Sequence, residues 1–489
     1  MAETGAARDA PRRRRGRAAR DVPREVALDV LTLVREEGAY TNLALAQQLR
    51  RRRVTGRDAA FVTELVSGTV RGRGTYDAVL AATVNRPLDK VDPVVLDALR
   101  LGAHQILAMR VPPHAAVGTT VDLVRARVGH RPAGFVNAVL RKVAQHGLAG
   151  WVRRLAPDPA TDPVGYCAVA HSHPRWVVEQ LAVALAPCPG QARAPEPAAA
   201  AADPELEALL AADNEPPRVT LVARPGLSTV EELVAAGGTA STMSPYAVEL
   251  PAGDPRDVPA VAEGRAGAQD EGSQLVALAL AAAPVDGPDS RWLDMCAGPG
   301  GKSALLGALA GERGARLLAA ERQPHRARLV RSATAALAAS GRDGLVGVVT
   351  ADGTRPAWRA GSFDRVLVDA PCTGLGALRR RPEARWRRSA ADLETLVPLQ
   401  RELLGSALDA VRPGGVVAYV TCSPVLAETS GVVSAVLAER ADAALEDAAP
   451  LFAGVPDLRP AETRLPGTVQ LWPHRQHTDA MFFALLRRR

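Results

Sequence analysis

Aromatic residues are scarce in this 489-residue chain, where Phe, Trp and Tyr together make up 3%. Cysteine is scarce too, with five residues at positions 167, 188, 296, 372 and 422. No two have C-x-x-C spacing, which speaks for reduced thiols and against a disulfide framework or a zinc site. The histidines are scattered; His171 with His173, and His474 with His477, have no cysteine beside them, and no metal is expected. Long apolar runs are missing as well. The run of note, GSQLVALALAAAPV at 272–285, falls short of the ~20 residues that cross a bilayer. Residues 1–20 carry arginines without an apolar signal core, so the expected location is the cytoplasm, with no membrane involved.

What is present is length, apolar residues at 47%, and an uneven charge. The length suffices for two or three domains that each bury a core. Residues 1–150 hold 25 Lys and Arg against 14 Asp and Glu, whereas the remainder holds 35 against 39. A basic front half suggests a polyanion as its partner. Residues 1–22 show no apolar periodicity and read as a disordered basic tail, either a solvated charge run or a contact to RNA phosphates. From 23 to about 150 apolar residues recur at three- and four-residue intervals, as in REVALDVLTLVREEGAY and AGFVNAVLRKVAQHG, which predicts an all-helical domain. Residues 151–285 read as a small α+β connecting module around RVTLVA (218–223), with a Pro/Ala-rich flexible insertion at 186–202. From 286 to 489 apolar strand-like runs alternate with helical stretches, the pattern of an open, mostly parallel α/β sheet.

Ligands of such sheets sit at the carboxyl ends of the strands, and five of those ends carry chemistry here. The first ends in Asp294 and the turn Cys296-Ala297-Gly298-Pro299-Gly300-Gly301-Lys302. The second ends in Glu321, the third in Asp352, the fourth in Asp369-Ala370-Pro371-Cys372, and a later one in Thr421-Cys422-Ser423. The glycine turn lies one residue from a P-loop, and VLVD ending at Asp369 resembles a Walker B strand, so a triphosphate site is the main rival. Against it, Cys296 stands where the first P-loop glycine would be, Glu321 and Asp352 add carboxylates around the ligand, and two strand-end cysteines have no role in holding Mg-ATP. Glu321 is placed where the hydroxyls of a ribose would donate to it. A ligand with ribose and adenine but no phosphates suits this acid-lined edge, and S-adenosyl-L-methionine is such a ligand. Taken singly, each acid reads equally as a helix cap or a solvated strand end, and each cysteine as a small core residue.

Together, LDMCAGPGGKS (293–303), DAPCTG with GALRRRPEARW, VTCSPVLAE, AQDEGSQLVA and the ending DAMFFALLRR resemble the bacterial Sun/Fmu (RsmB) family of 16S ribosomal RNA cytosine-C5 methyltransferases. The helical front is similar to a NusB-type RNA-binding domain. The resemblance implies an all-α NusB-like N-terminal domain, the small α+β module and a C-terminal α/β Rossmann-like class I methyltransferase domain. It further implies that Cys296 to Lys302 wrap the methionine part of S-adenosyl-L-methionine, that Glu321 and Arg326 help hold the cofactor, that Asp352 lies near the adenine amine, and that Asp369 faces both cofactor and base. Cys422 would be the nucleophile and Cys372 would assist product release, a division that spacing alone does not assign. The chain departs from the family pattern in having Glu321 for the usual Asp, Thr429 for Asn, and DAMFF for DGFF.

The chemistry fits these residue types. Cytosine C5 is too electron-poor to attack a methyl group until a thiolate adds at C6 and makes the ring an enamine. Lys302 is a candidate cation for lowering the thiol pKa. Residues 377–389 (ALRRRPEARWRRS) carry six arginines and Trp386 directly after the catalytic loop, so Arg379, Arg380, Arg381 and Trp386 are expected to contact RNA through phosphates and stacking. The expected partner is 16S ribosomal RNA or a small-subunit precursor, bound by a monomer. A noncatalytic RNA-binding assembly factor and a P-loop-like NTPase are the competing readings.

Overall fold

The computed structural model describes residues 20–186, 196–251 and 253–489. Two compact units result. One takes in the chain up to Thr69 together with Leu80–Leu148; the other takes in Val70–Val79 and Ala149–Arg489.

The first unit is helical. Its helices include Val22–Glu36, Thr41–Arg52, Pro93–Leu107, Pro113–Arg127 and Ala133–Val143. Their starts are written in the sequence: Asp21 accepts from the Arg24 N–H, and Asp92, followed by Pro93, accepts from the N–H groups of Val94 and Val95. In Ala133–Val143 the buried residues Val136, Val139, Leu140 and Val143 follow an i, i+3, i+4, i+7 stripe. Each such side chain contributes roughly 1.5–3 kcal/mol on burial. Of the expected basic tail, residues 1–19 lie outside the described residues, and Asp21 already caps the first helix.

The second unit continues with helices at Pro163–Ala170, Arg175–Leu185 and Pro204–Ala212. The helical stretch ahead of the Pro/Ala segment has no counterpart in the sequence reading. Residues 187–195 of that segment lie outside the described residues, but Ala200 and Ala201 beyond them are buried against Val177 and Leu181, so this end of the insertion is packed. Next come β1 (Val219–Ala223), β2 (Thr239–Ala240), β3 (Ala247–Leu250) and β4 (Ala266–Ala268), an antiparallel sheet in the order β2-β3-β1-β4.

The last part is built on β5 (Arg291–Asp294), β6 (Arg316–Glu321), β7 (Leu345–Thr350), β8 (Phe363–Asp369), β9 (Val411–Thr421), β10 (Ala443–Glu446), β11 (Val469–Gln470) and β12 (Phe482–Arg488). Their order is β10-β12-β9-β8-β5-β6-β7, with β11 on β12. The pairs β5/β6, β6/β7, β5/β8 and β8/β9 are parallel, and β12 runs antiparallel to β9. The central strands are buried on both faces, and their side chains alternate between two cores. Leu367, Val416, Ala418, Val420 and Phe483 pack on one face; Val366, Val368, Val417, Tyr419 and Phe482 pack on the other. Both faces being apolar, the register between β8 and β9 is read from their backbone pairing, with Val366 opposite Val417 and Leu367 opposite Ala418. That register sets Asp369 beside Val420, which brings the DAPC and TCS strand ends together. Strand order reverses at β5, and the crevice at such a reversal is the usual ligand position in open α/β sheets. Among the described residues no helix is long and apolar enough to cross a membrane.

Candidate active site

The glycine turn after β5 is shaped by close approaches. Gly300 has φ of 114° and sits against Val330 and Ala333, where a Cβ would collide. Helix Gly301–Glu312 starts from it. Glu321, buried at the end of β6, receives the N–H of Gly298 at 3.0 Å and that of Gln323 at 2.9 Å. Arg326 donates to the Gly298 carbonyl at 2.6 Å and stands 3.8 Å from Glu321. Turn, acid and arginine therefore form one unit. Asp352, after β7, accepts from the N–H and hydroxyl of Thr354, which lower its pKa.

Lys302 projects from this turn to Asp369 at 2.8 Å. Burial works against its charge, but Asp369 outweighs burial and the ammonium pKa is raised. Asp294 lies beneath; burial pushes its carboxyl up to about 7, against the hydrogen bond from Ser303 at 2.6 Å. Cys296 sits among these acids. Burial first, then Asp294, Asp369 and Glu321, push its thiol well above the ordinary value.

The other pair of strand ends behaves differently. The sulfurs of Cys372 and Cys422 are 3.5 Å apart, within sulfur hydrogen-bonding distance. That bond, as the largest influence, lowers the pKa of Cys422 against burial and Asp369. The same bond, with burial, raises Cys372. Arg381 and Lys302 also lower Cys422. Sequence reading also missed Glu428, whose buried carboxylate links the residues following both cysteines. Nothing in VTCSPVLAE distinguishes it from a surface glutamate except its place two turns after the cysteine.

The arginine segment is turned inward in part, while Arg380 stays partly exposed and Arg387 exposed. Arg379 is buried and donates to the His477 carbonyl at 2.6 Å. Arg380 donates through Nε to both oxygens of buried Asp479 at 3.0 Å. Trp386 gives its indole N–H to the Val70 carbonyl at 2.9 Å and lies under the Arg73 guanidinium. Buried Arg385 bonds Asn214 and the carbonyls of Ser172 and Asp213. Buried acceptors need donors, and these guanidinium groups supply them. Of the four nominated residues, Arg380 and Arg381 come within charge range of Cys422.

The edge thus unites Cys296–Lys302, Glu321, Arg326, Asp352, Asp369, Cys372 and Cys422. Its ligand preference can be tested on its own donors and acceptors. Gln269 Oε1 is buried beside Gly301 without a hydrogen-bond partner, an acceptor suited to an N–H donor. Carboxylates at Asp294, Glu321, Asp352 and Asp369 repel a triphosphate, and Lys302 is engaged by Asp369. These features fit a cationic amino-acid nucleoside and do not fit Mg-ATP. Among the described residues no three His, Cys, Asp or Glu are grouped to hold a metal ion.

The chain is similar to known proteins over nearly its whole length. The family model "16S rRNA methyltransferase RsmB/F" matches residues 279–487, and the NusB family model matches residues 21–145. The chain is 50% identical over 474 residues to the putative methyltransferase Rv1407 of Mycobacterium tuberculosis, covering 96% of this chain and 97% of the relative. It is 30% identical to the probable ribosomal RNA small subunit methyltransferase B of Bacillus subtilis, covering 95% and 98%. In fold it matches the crystal structure of PH0851 with a TM-score of 0.74 at 21% identity, covering 95% of this chain and 99% of that one.

Proposed function

This chain belongs to the 16S rRNA methyltransferase RsmB/F family, and on that premise we propose that it methylates C5 of a cytosine in 16S ribosomal RNA, or in a small-subunit precursor, through a transient bond between Cys422 and C6. The observation that carries the reading is the 3.5 Å sulfur pair, in which one thiol donates to the other beside an acid-lined edge. A noncatalytic RNA-binding factor has no use for such a pair.

When bound, S-adenosyl-L-methionine would supply the sulfonium methyl that the nucleophilic C5 takes up, leaving S-adenosylhomocysteine. Cys296 to Lys302 would cradle its methionine part, Glu321 would accept from the ribose hydroxyls with Arg326 bracing the turn, and Asp352 would accept from the adenine amine. Asp369, held by Lys302, accepts from the cytosine N4 amino group and orients the ring. Cys422, as thiolate, adds to C6 and pushes electrons to C5. After transfer, the C5 proton leaves to a base at the site, the C6–S bond breaks, and aromaticity returns. Cys372 donates its S–H to the departing Cys422 sulfur. Arg381 adds positive charge near the thiolate and suits an RNA phosphate. The enzyme acts in the cytoplasm.

Bisulfite sequencing of ribosomal RNA from a strain lacking this gene tests the reading. The expected result is one 16S cytosine that loses protection and regains it on complementation; unchanged protection throughout 16S RNA would overturn it.

A further inference from the structure

Glu428 closes the short 3-10 turn Leu426–Glu428 that follows the TCS triplet, and it is fully buried. Its Oε1 accepts from the Thr373 N–H at 2.8 Å and from Gln400 Nε2 at 3.0 Å. Its Oε2 accepts from the Thr373 hydroxyl at 2.5 Å and from the Ser423 hydroxyl at 2.6 Å. All four donors are neutral. Thr373 follows Cys372 directly, and Ser423 follows Cys422. Gln400 also donates to the Pro371 carbonyl at 2.9 Å, so its amide ties Glu428 to the residue before Cys372. Behind the carboxylate, Tyr419 donates its hydroxyl to the Glu428 carbonyl at 2.7 Å and holds the turn against β9.

Two loops from different strands, DAPCT after β8 and TCS after β9, are thus joined through one side chain at the residues next to their sulfurs. We propose that Glu428 is a positioning residue that sets the distance between the Cys372 and Cys422 sulfurs, and so decides that the second attacks while the first donates to it. The inference rests on the two-cysteine reading above and assigns the part that keeps the pair in register.

The geometry separates positioning from plain structural support. In Glu428→Gln the amide oxygen still accepts from the Thr373 N–H and Gln400, while the hydroxyls of Thr373 and Ser423 rotate to accept from the new NH2 group. In Glu428→Ala both loops lose their tie. The experiment measures three quantities on the full-length protein: methyl transfer to RNA, S-adenosyl-L-methionine affinity, and the pH profile of Cys422 alkylation by iodoacetamide in the absence of RNA. Glu428→Ala is expected to lose about 10²-fold in kcat, the usual effect of an ångström-scale misplacement, with unchanged cofactor affinity and a Cys422 profile moved to higher pH. Glu428→Gln should stay within about threefold of wild type and keep the profile, because four hydrogen bonds survive. Ser423→Ala, which cuts only the Cys422 arm, should move the profile in the same direction by less, and it decides the matter if Glu428→Ala does not fold.

A folded Glu428→Ala or Ser423→Ala protein with the wild-type profile and rate would overturn the inference. So would Glu428→Gln falling as far as Glu428→Ala while still binding cofactor. The alkylation profile needs neither RNA nor methyl transfer. A wild-type protein that transfers no methyl to cytosine would therefore sink the functional reading and leave the role of Glu428 still measurable.

Discussion

Cys296 and Cys422 stand just past the carboxyl ends of β5 and β9, both partly buried, and they have opposite chemistry. Cys296 is walled by burial and by Asp294, Asp369 and Glu321, which hold its proton on. Cys422 lies 3.5 Å from a second thiol, and that contact is the largest influence lowering its pKa. A strand-end position therefore does not make a nucleophile. The partner within hydrogen-bonding reach does, and the acidic ring that suits a cationic cofactor around Cys296 would suppress a thiolate there.

Replacing each cysteine in turn breaks the comparison most strongly. Cys422→Ala should lose methyl transfer by about 10³-fold or more while S-adenosyl-L-methionine affinity stays unchanged, whereas Cys296→Ala should lose about tenfold at most, seen as weaker cofactor binding. Equal losses in the two variants would erase the distinction. Cys372→Ala should slow turnover about 10²-fold and accumulate a protein–RNA species, visible as a shifted band on a denaturing gel, because the thiol that assists departure is gone. The smallest effect is one of pH. A lowered thiol pKa means that Cys422 becomes thiolate, and is alkylated, at a lower pH than an ordinary cysteine, while Cys296 is alkylated only at higher pH. Removing the Cys372 donor takes away the largest lowering influence, so the Cys422 profile in Cys372→Ala should move upward; a downward move or none would assign the activation to Arg381 or Lys302 instead.

The strands and the order of their ends were legible because apolar period and length decide a buried parallel sheet, and because Asp294, Glu321, Asp352, Asp369 and the two cysteines follow such runs directly. The family motifs gave the division between Cys372 and Cys422, which spacing did not. Distance was not legible. Lys302 reads as a cation free to serve a thiol, yet Asp369 occupies it at 2.8 Å. The arginines from 379 to 388 read as a solvated or RNA-facing run, yet the acceptors that draw Arg379, Arg380 and Arg385 inward lie 98 to 213 positions away in the chain. By contrast Arg50, Arg51 and Arg53, in the helical front, remain exposed. Glu428 was invisible for the same reason, since its four donors come from three separate segments.

The most direct test is to isolate the covalent RNA species formed by Cys372→Ala, digest it, and read by mass spectrometry which protein residue carries the nucleotide. The account predicts a pyrimidine attached through C6 to the sulfur of Cys422. Attachment at Cys296, or a protein that methylates cytosine with no sulfur-linked species under any condition, would contradict it.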